Sequence, residues 1–113
     1  MIILDTTLKS LEIKLAGVVT TTQLPYVLAY VDLLSSDQSI SAVGSNDGAT
    51  NNTTAVVVLA APAAGHTRQV KFLSVFNADT VAATLTLQYN DNGTARIITK
   101  VVLDVGDNFI YTD

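Results

Sequence analysis

The stretch that decides the fold is Val70–Leu103, VKFLSVFNADTVAATLTLQYNDNGTARIITKVVL. Within it, Thr84–Tyr89 alternates: Leu85, Leu87 and Tyr89 fall on one face, Thr84, Thr86 and Gln88 on the other. A period of two marks a strand with one buried and one wet side. Asn90-Asp91-Asn92-Gly93 follows, and Asn and Gly adopt positive φ at little cost, as a tight hairpin turn requires. The chain returns as Ala95–Leu103, whose Ile and Val suit a pleated, packed surface. Upstream, Arg68–Phe76 reads as a strand with Val70, Phe72 and Phe76 on one face and Lys71, Leu73 and Val75 on the other. Asn77-Ala78-Asp79 turns it into the meander, Gly106-Asp107 makes a last turn, and Asn108–Thr112 is a closing strand. The expected core is Val70, Phe72, Phe76, Leu85 and Leu87.

Toward the N-terminus, Ile2, Ile3 and Leu4 form a short apolar run, an edge strand or an arm within residues 1–7. Leu11, Ile13 and Leu15 alternate with Glu12 and Lys14 as a half-buried strand. Val18–Gln23 is Thr-rich and extended, and Pro25 argues against a central strand at that point. Tyr26–Leu34 is apolar on both faces; its β-branched and aromatic content favours a strand over a helix. Ser35–Thr53, rich in Ser, Asp, Asn and Gly, reads as a long loop, with Ile40, Ala42 and Val43 inside it a candidate short strand. Thr54–Ala60 is an apolar strand candidate, ended by a turn at Pro62–Gly65. Seven or eight short strands without a helix or repeat predict one all-β domain over residues 1–113. The expected architecture is an antiparallel β-sandwich of jelly-roll or Greek-key type.

Composition bounds the function. Of 113 residues only 14% are charged and 49% are hydrophobic, against a usual charged share of about 25%. Tyr26–Leu34, Thr54–Ala60 and Arg68–Phe76 are apolar on both sides, whereas one side of a sandwich strand ordinarily faces water. Self-association is the expectation, as a homodimer or homotrimer, with Tyr26, Leu28, Tyr30, Val56, Val58, Leu73 and Val75 at the interface. The alternative is a surface kept wet by the abundant Thr, Ser, Asn and Gln. There is no Cys, so no disulfide and no thiolate metal site. Net charge is −4 with no basic run, which argues against nucleic acid as a partner. The start has no basic region before an apolar core, and no apolar run is long enough to cross a bilayer as a helix. A soluble, cytoplasmically made protein without a membrane partner is expected.

Chemistry-bearing residues are sparse. His66, the only histidine, stands in a turn with no nucleophile motif nearby and reads as a surface histidine. Asp91, Asp104 and Asp107, with Asn90, Asn92 and Asn108, could offer oxygens to calcium or an acid pair to a glycoside. Their spacing matches no metal loop, and the same residues are what hairpin turns prefer. The N-x-T tripeptides at Asn51, Asn52 and Asn92 carry no information without a secretory signal, and Gly44–Gly48 is no phosphate loop. Tyr26, Tyr30, Tyr89 and Tyr111 fit packing better than a sugar-stacking platform. No catalytic residue, metal site or cofactor is expected.

Two stretches carry a resemblance. LKSLEIKLAGVVTTTQLPYVLAYVDL (8–33) is similar to the opening of small virion proteins encoded among the structural genes of tailed bacteriophages. Residues 61–111 resemble their second half. The pattern there is Pro62, Ala63 and Gly65 in a turn, Arg68 at a strand start, Ser74, Val75, Asn77 and Asp79 at a corner, and Leu103, Gly106 and Asp107 in a closing turn. The resemblance implies a non-enzymatic virion β-sandwich that assembles as dimers or trimers, with these residues as fold determinants. A capsid decoration (cement) protein is the leading expectation. It would bind the major capsid protein, stabilise the head and use Ile2, Ile3 and Leu4 as a contact arm. The alternative is a neck or tail accessory, or a receptor- or glycan-binding module whose segments Ser35–Thr53 and Asn90–Thr94 gather at one exposed end.

Overall fold

The computed structural model describes residues 1–113 and contains nine strands. They are β1 (Ile2–Leu4), β2 (Lys9–Leu15), β3 (Pro25–Leu34), β4 (Ile40–Ala49), β5 (Val56–Leu59), β6 (His66–Phe76), β7 (Ala83–Asp91), β8 (Thr94–Leu103) and β9 (Asn108–Thr112). Sheet A runs β4-β3-β6, and β1 and β9 share the far side of β6: β1 pairs Arg68–Val70, β9 pairs Phe72–Phe76. Sheet B runs β5-β2-β7-β8. All pairings are antiparallel. Only β3-β4 and β7-β8 are hairpins; every other connection crosses between sheets, nesting the β3·β6 pair over the β2·β7 pair. The all-β sandwich expected from the strand pattern is therefore present, with nine strands rather than seven or eight.

Its core is one layer of side chains between the sheets. Leu11, Ile13, Leu15, Leu85 and Leu87 come from sheet B, with Leu15 opposite Leu85 and Ile13 opposite Leu87. Sheet A contributes Ile2, Leu4, Tyr26, Leu28, Val70, Leu73 and Val75. The shortest dimension is 18 Å, which holds two sheets about 10 Å apart and no third layer. Both outer faces are consequently open.

The turns behave as their residues dictate. Asn92 and Gly93 have φ of 52° and 89°, the positive pair a two-residue hairpin needs to match strand twist. Asn77 is the pivot of a corner. Its buried amide donates to the carbonyls of Leu103, Val81 and Asp104 at 2.9, 3.0 and 3.2 Å. Its backbone N–H donates to Asp107, and Gly106, at φ 81°, donates back to the Asn77 carbonyl. Asp79 accepts from the backbone N–H groups of Thr20, Thr21 and Thr22 at 2.9, 2.8 and 3.3 Å and from the Thr21 hydroxyl at 3.1 Å. The Thr-rich segment before β3 is thus tied to the start of the meander. Those donated bonds hold the Asp79 carboxyl far below the usual carboxylate range.

Four expectations need correction. Of the two alternatives for residues 2–4 the edge strand is present and the arm is not: β1 pairs with β6, and Ile2 and Leu4 are core residues while Ile3 faces out. An isolated three-residue run gives no sign of which strand will take it up.

Ser35–Thr53 is no long loop: it holds the ten-residue β4, paired along nearly all of β3. Gly44 and Gly48 lie across from Tyr30 and Tyr26. A Cβ on either glycine would stand 2.7 or 2.9 Å from the facing ring, so the glycines make room for the tyrosines. Strand-poor residues are accepted because β3 supplies the template and its rings supply the packing.

The faces of β6 switch partway. Ala29 pairs with Phe72 and Tyr30 with Val70, so Lys71 is an extra residue, a β-bulge that inverts the alternation. Val70, Leu73 and Val75 all point inward; Phe72 is half-buried outside, and Phe76 is exposed. The assignment of Phe72 and Phe76 to the core fails for this reason.

The expected interface of Tyr26, Leu28, Tyr30, Val56, Val58, Leu73 and Val75 lies on the inner side instead. Tyr26, Leu28, Val58, Leu73 and Val75 are buried, and Tyr30 and Val56 pack against them. The exposed apolar residues of the same strands include Val27, Val57 and Phe76.

Candidate interaction surface

With the inner faces used up, part of the apolar surplus is displayed on the outside of sheet A, and Val57, Ile97 and Val102 stand exposed on the outside of sheet B. The register lays it out in rows across the strands. Val27 of β3 and Ile110 of β9 flank Ser74, both about half exposed. Phe72 lies between Ala29 and Thr112. Ile3, Gln69, Val31 and Val43 form the next row, in which Val31 itself is buried, and Leu33 stands opposite Ile40 beyond it. Val43 is 73% exposed and Ile40 64%. Between the last two rows and Met1 the surface dips into an open cleft of about 420 Å³. At its margin Lys71 pairs with Asp113 at 3.1 Å, and the Gln69 amide bonds the same carboxylate, which is held below its ordinary pKa chiefly by the Lys71 bond. The face is thus apolar across its centre, with Asp47 its exposed charge on the β4 side.

The outer side of sheet B is different. There Glu12, Thr86 and Gln88 are buried polar residues. Glu12 accepts from the Gln88 and Asn90 amides at 2.9 and 3.2 Å, and the Gln88 carbonyl oxygen is left without a partner. A second cleft of about 300 Å³ opens between Leu15–Val19 and Val81–Thr84, with Asp79 at its wall. That carboxylate is already committed to the threonine segment, so it is a structural anchor.

The residues weighed for chemistry do not converge. His66 is half-buried at the start of β6, its Nδ1 3.3 Å from the Ser41 hydroxyl, with no carboxylate bonded to the ring. Asp104 and Asp107 bond within their own turn, where the Asp104 backbone N–H donates to Asp107 at 3.3 Å. No three His, Cys, Asp or Glu side chains gather as a metal would need. The tyrosines do not form a platform. Tyr26 is core, Tyr30 packs on Gly44, and the hydroxyls of Tyr111 and Tyr89 accept from the backbone of Ile2 and Ile3 at 2.8 and 3.3 Å. They help seat β1, a role that nothing in their spacing announced.

Arg68, read as a strand start, closes one end of the core. It pairs with Asp32 at 2.8 Å, donates to the Ala60 carbonyl at 2.9 Å and lies over the Tyr30 ring. At the same end the β3–β4 turn and the Asn92-Gly93 turn gather around β1. Ser35 bonds Gly65, Asn92 bonds Leu8, and Leu4 pairs with Arg68. Compared with family models, curated proteins and solved structures, the chain finds no match in any of the three.

Proposed function

We propose that the protein is a non-enzymatic structural component of a tailed-bacteriophage particle, most specifically a capsid decoration protein that docks on the outer capsid lattice and reinforces it. The observation that supports this reading is the open apolar face of sheet A, a docking surface for another protein. It joins the resemblance of residues 8–33 and 61–111 to small virion β-sandwiches. In this reading Val27, Val43, Phe72 and Ile110 meet the capsid protein, and Ile2 and Leu4 keep β1 in place behind them. Many modest contacts of this kind multiply into firm attachment.

Immunogold labelling of intact particles tests the assignment. Label over the whole head supports decoration; label at the neck or tail tip replaces it with an accessory role, and particles without label reject a virion role. Particles lacking the protein should lose resistance to heat and chelators, and unchanged resistance would reject the reinforcing role.

A second reading is favoured by one observation: the turn at residues 35–39 and the turn at Asn92-Gly93 share one end of the sandwich. A receptor- or glycan-binding tip would be placed there. Binding of the purified protein to host cells or a glycan array supports it, and silence across the array removes it.

A further inference from the structure

We propose that β4 is a self-pairing edge: two copies of the chain join by antiparallel β4–β4 addition about a two-fold axis through Ser45, fusing their A sheets into one. The proposal concerns self-assembly alone and does not depend on a virion role.

The ladder between β3 and β4 shows which backbone groups are free. The Thr50 N–H donates to the Leu24 carbonyl at 2.9 Å. In an antiparallel ladder, bonded and unbonded pairs alternate. Counting by twos from Leu24–Thr50, the bonded pairs are Tyr26–Gly48, Leu28–Asn46 and Tyr30–Gly44. Pro25, which has no N–H to give, falls opposite Ala49 in an unbonded pair, as the count requires. The N–H and C=O groups of Val43, Ser45 and Asp47 therefore point away from β3, along the open edge of the sheet. Only another extended backbone satisfies such a row.

The two long edge strands are guarded unequally. β8 carries Arg96 and Lys100 and is bulged between them at Ile98, where Leu87 pairs with Thr99 but Gln88 with Ile97. Cations and mid-strand bulges are the usual means of refusing a further strand. β4 is bulged at its beginning, at Ser41, and from Ala42 to Ala49 it is regular, with no Lys, Arg or Pro and one charge, Asp47.

Charge placement and shape argue for a second copy as the occupant. An antiparallel strand is complementary to itself about a two-fold axis. With the axis on Ser45, Val43, Ser45 and Asp47 of one copy face Asp47, Ser45 and Val43 of the other, giving about six backbone hydrogen bonds. Each Asp47 then lies opposite a valine, and the two carboxylates are four residues apart along the strands, about 14 Å, beyond the reach of unscreened repulsion. Gly44, Ser45 and Gly48 present no bulk to hold the backbones apart. A two-fold axis normal to the sheet also leaves both apolar outer faces on the same side, as one continuous surface.

The test uses the purified full chain in sedimentation velocity from micromolar to near-millimolar concentration. The expected species is a discrete dimer of twice 11.9 kDa. Ser45→Pro removes an N–H that no bond inside the chain uses, so its circular dichroism and melting temperature should be kept while the dimer is lost. Should Ser45→Pro lose its fold, Ser45→Lys decides by the same measurement. Because the chain has no cysteine, Ser45→Cys reports contact directly, and mild oxidation should give a disulfide dimer, while Lys100→Cys should not. A wild-type monomer at the highest concentration overturns the proposal. So does a dimer indifferent to the Ser45 variants, which would place the contact elsewhere. Growth without limit, as β4 of one copy on β8 of the next would give, overturns it equally.

Discussion

At the scale of the residue, the fold depends on a few side chains whose roles are unequal to their prominence in sequence. Leu87 is an alternation residue that became core, and Leu87→Ala should lower stability by about 2–5 kcal/mol in urea denaturation. Val27→Ala, on the outer face of a neighbouring layer, should cost less than about 1 kcal/mol. Asp79 is the ionisable anchor. Its folded pKa is lowered by donated backbone N–H groups. It therefore contributes stability that is complete above the unfolded value of about 3.9 and is lost as pH falls through the folded value. Stability measured in urea should decline below about pH 4, and Asp79→Asn should be less stable than the wild type at pH 7, the gap closing on acidification. A gap unchanged down to pH 2 would contradict the anchoring role. Asn77 and Asp79 could be read as turn formers from sequence; that the second would tie down a threonine segment 57 to 59 residues away could not.

At the scale of the element, the strands read best where one face is buried and the register is regular. β2, β7, β8 and β9, and the turn at Asn92-Gly93, were legible because alternation and turn chemistry act locally. β1 and β4 were not. β1 is too short to carry a period, and its place depends on Val70 and on the Tyr111 and Tyr89 hydroxyls. Removing residues 1–4 should uncover Val70 and lower the melting temperature, with loss of the Ile2 and Leu4 contribution amounting to several kcal/mol. An unchanged melting temperature would restore the view of this segment as a loose arm. β4 depends on fitting its glycines beneath tyrosine rings. Gly44→Ala should destabilise by about 1–3 kcal/mol through overpacking against Tyr30, and Tyr30→Ser in the same chain should relieve part of that cost.

At the scale of the molecule, two sheets and one layer of side chains leave two outer faces, and only one of them is apolar across its centre. Low charge and high hydrophobic content were read as surface covered by further copies; the residues named for that contact lie inside, and the exposed apolar ones include Val27, Val43 and Ile110. If this face is the docking surface of a decoration protein, as proposed, Ile110→Asp with Val27→Lys, both at exposed positions flanking Ser74, should abolish binding to purified phage capsids while leaving the circular dichroism spectrum intact. Retained binding would assign the docking role to another surface.

Composition and alternation by themselves determined the all-β class, the absence of thiol chemistry, the central meander and its turns, since each follows from local geometry or counting. Tertiary structure alone decided which face of β3 and β6 is inside. A single bulge at Lys71 inverts the alternation, and a bulge is specified by the partner strand rather than by the residues that form it. The same holds for β1 and β4, which are strands because neighbouring strands offer them hydrogen bonds and rings to pack against. An interaction surface is what remains after such pairings are made, so its position emerges only from the assembled sheets.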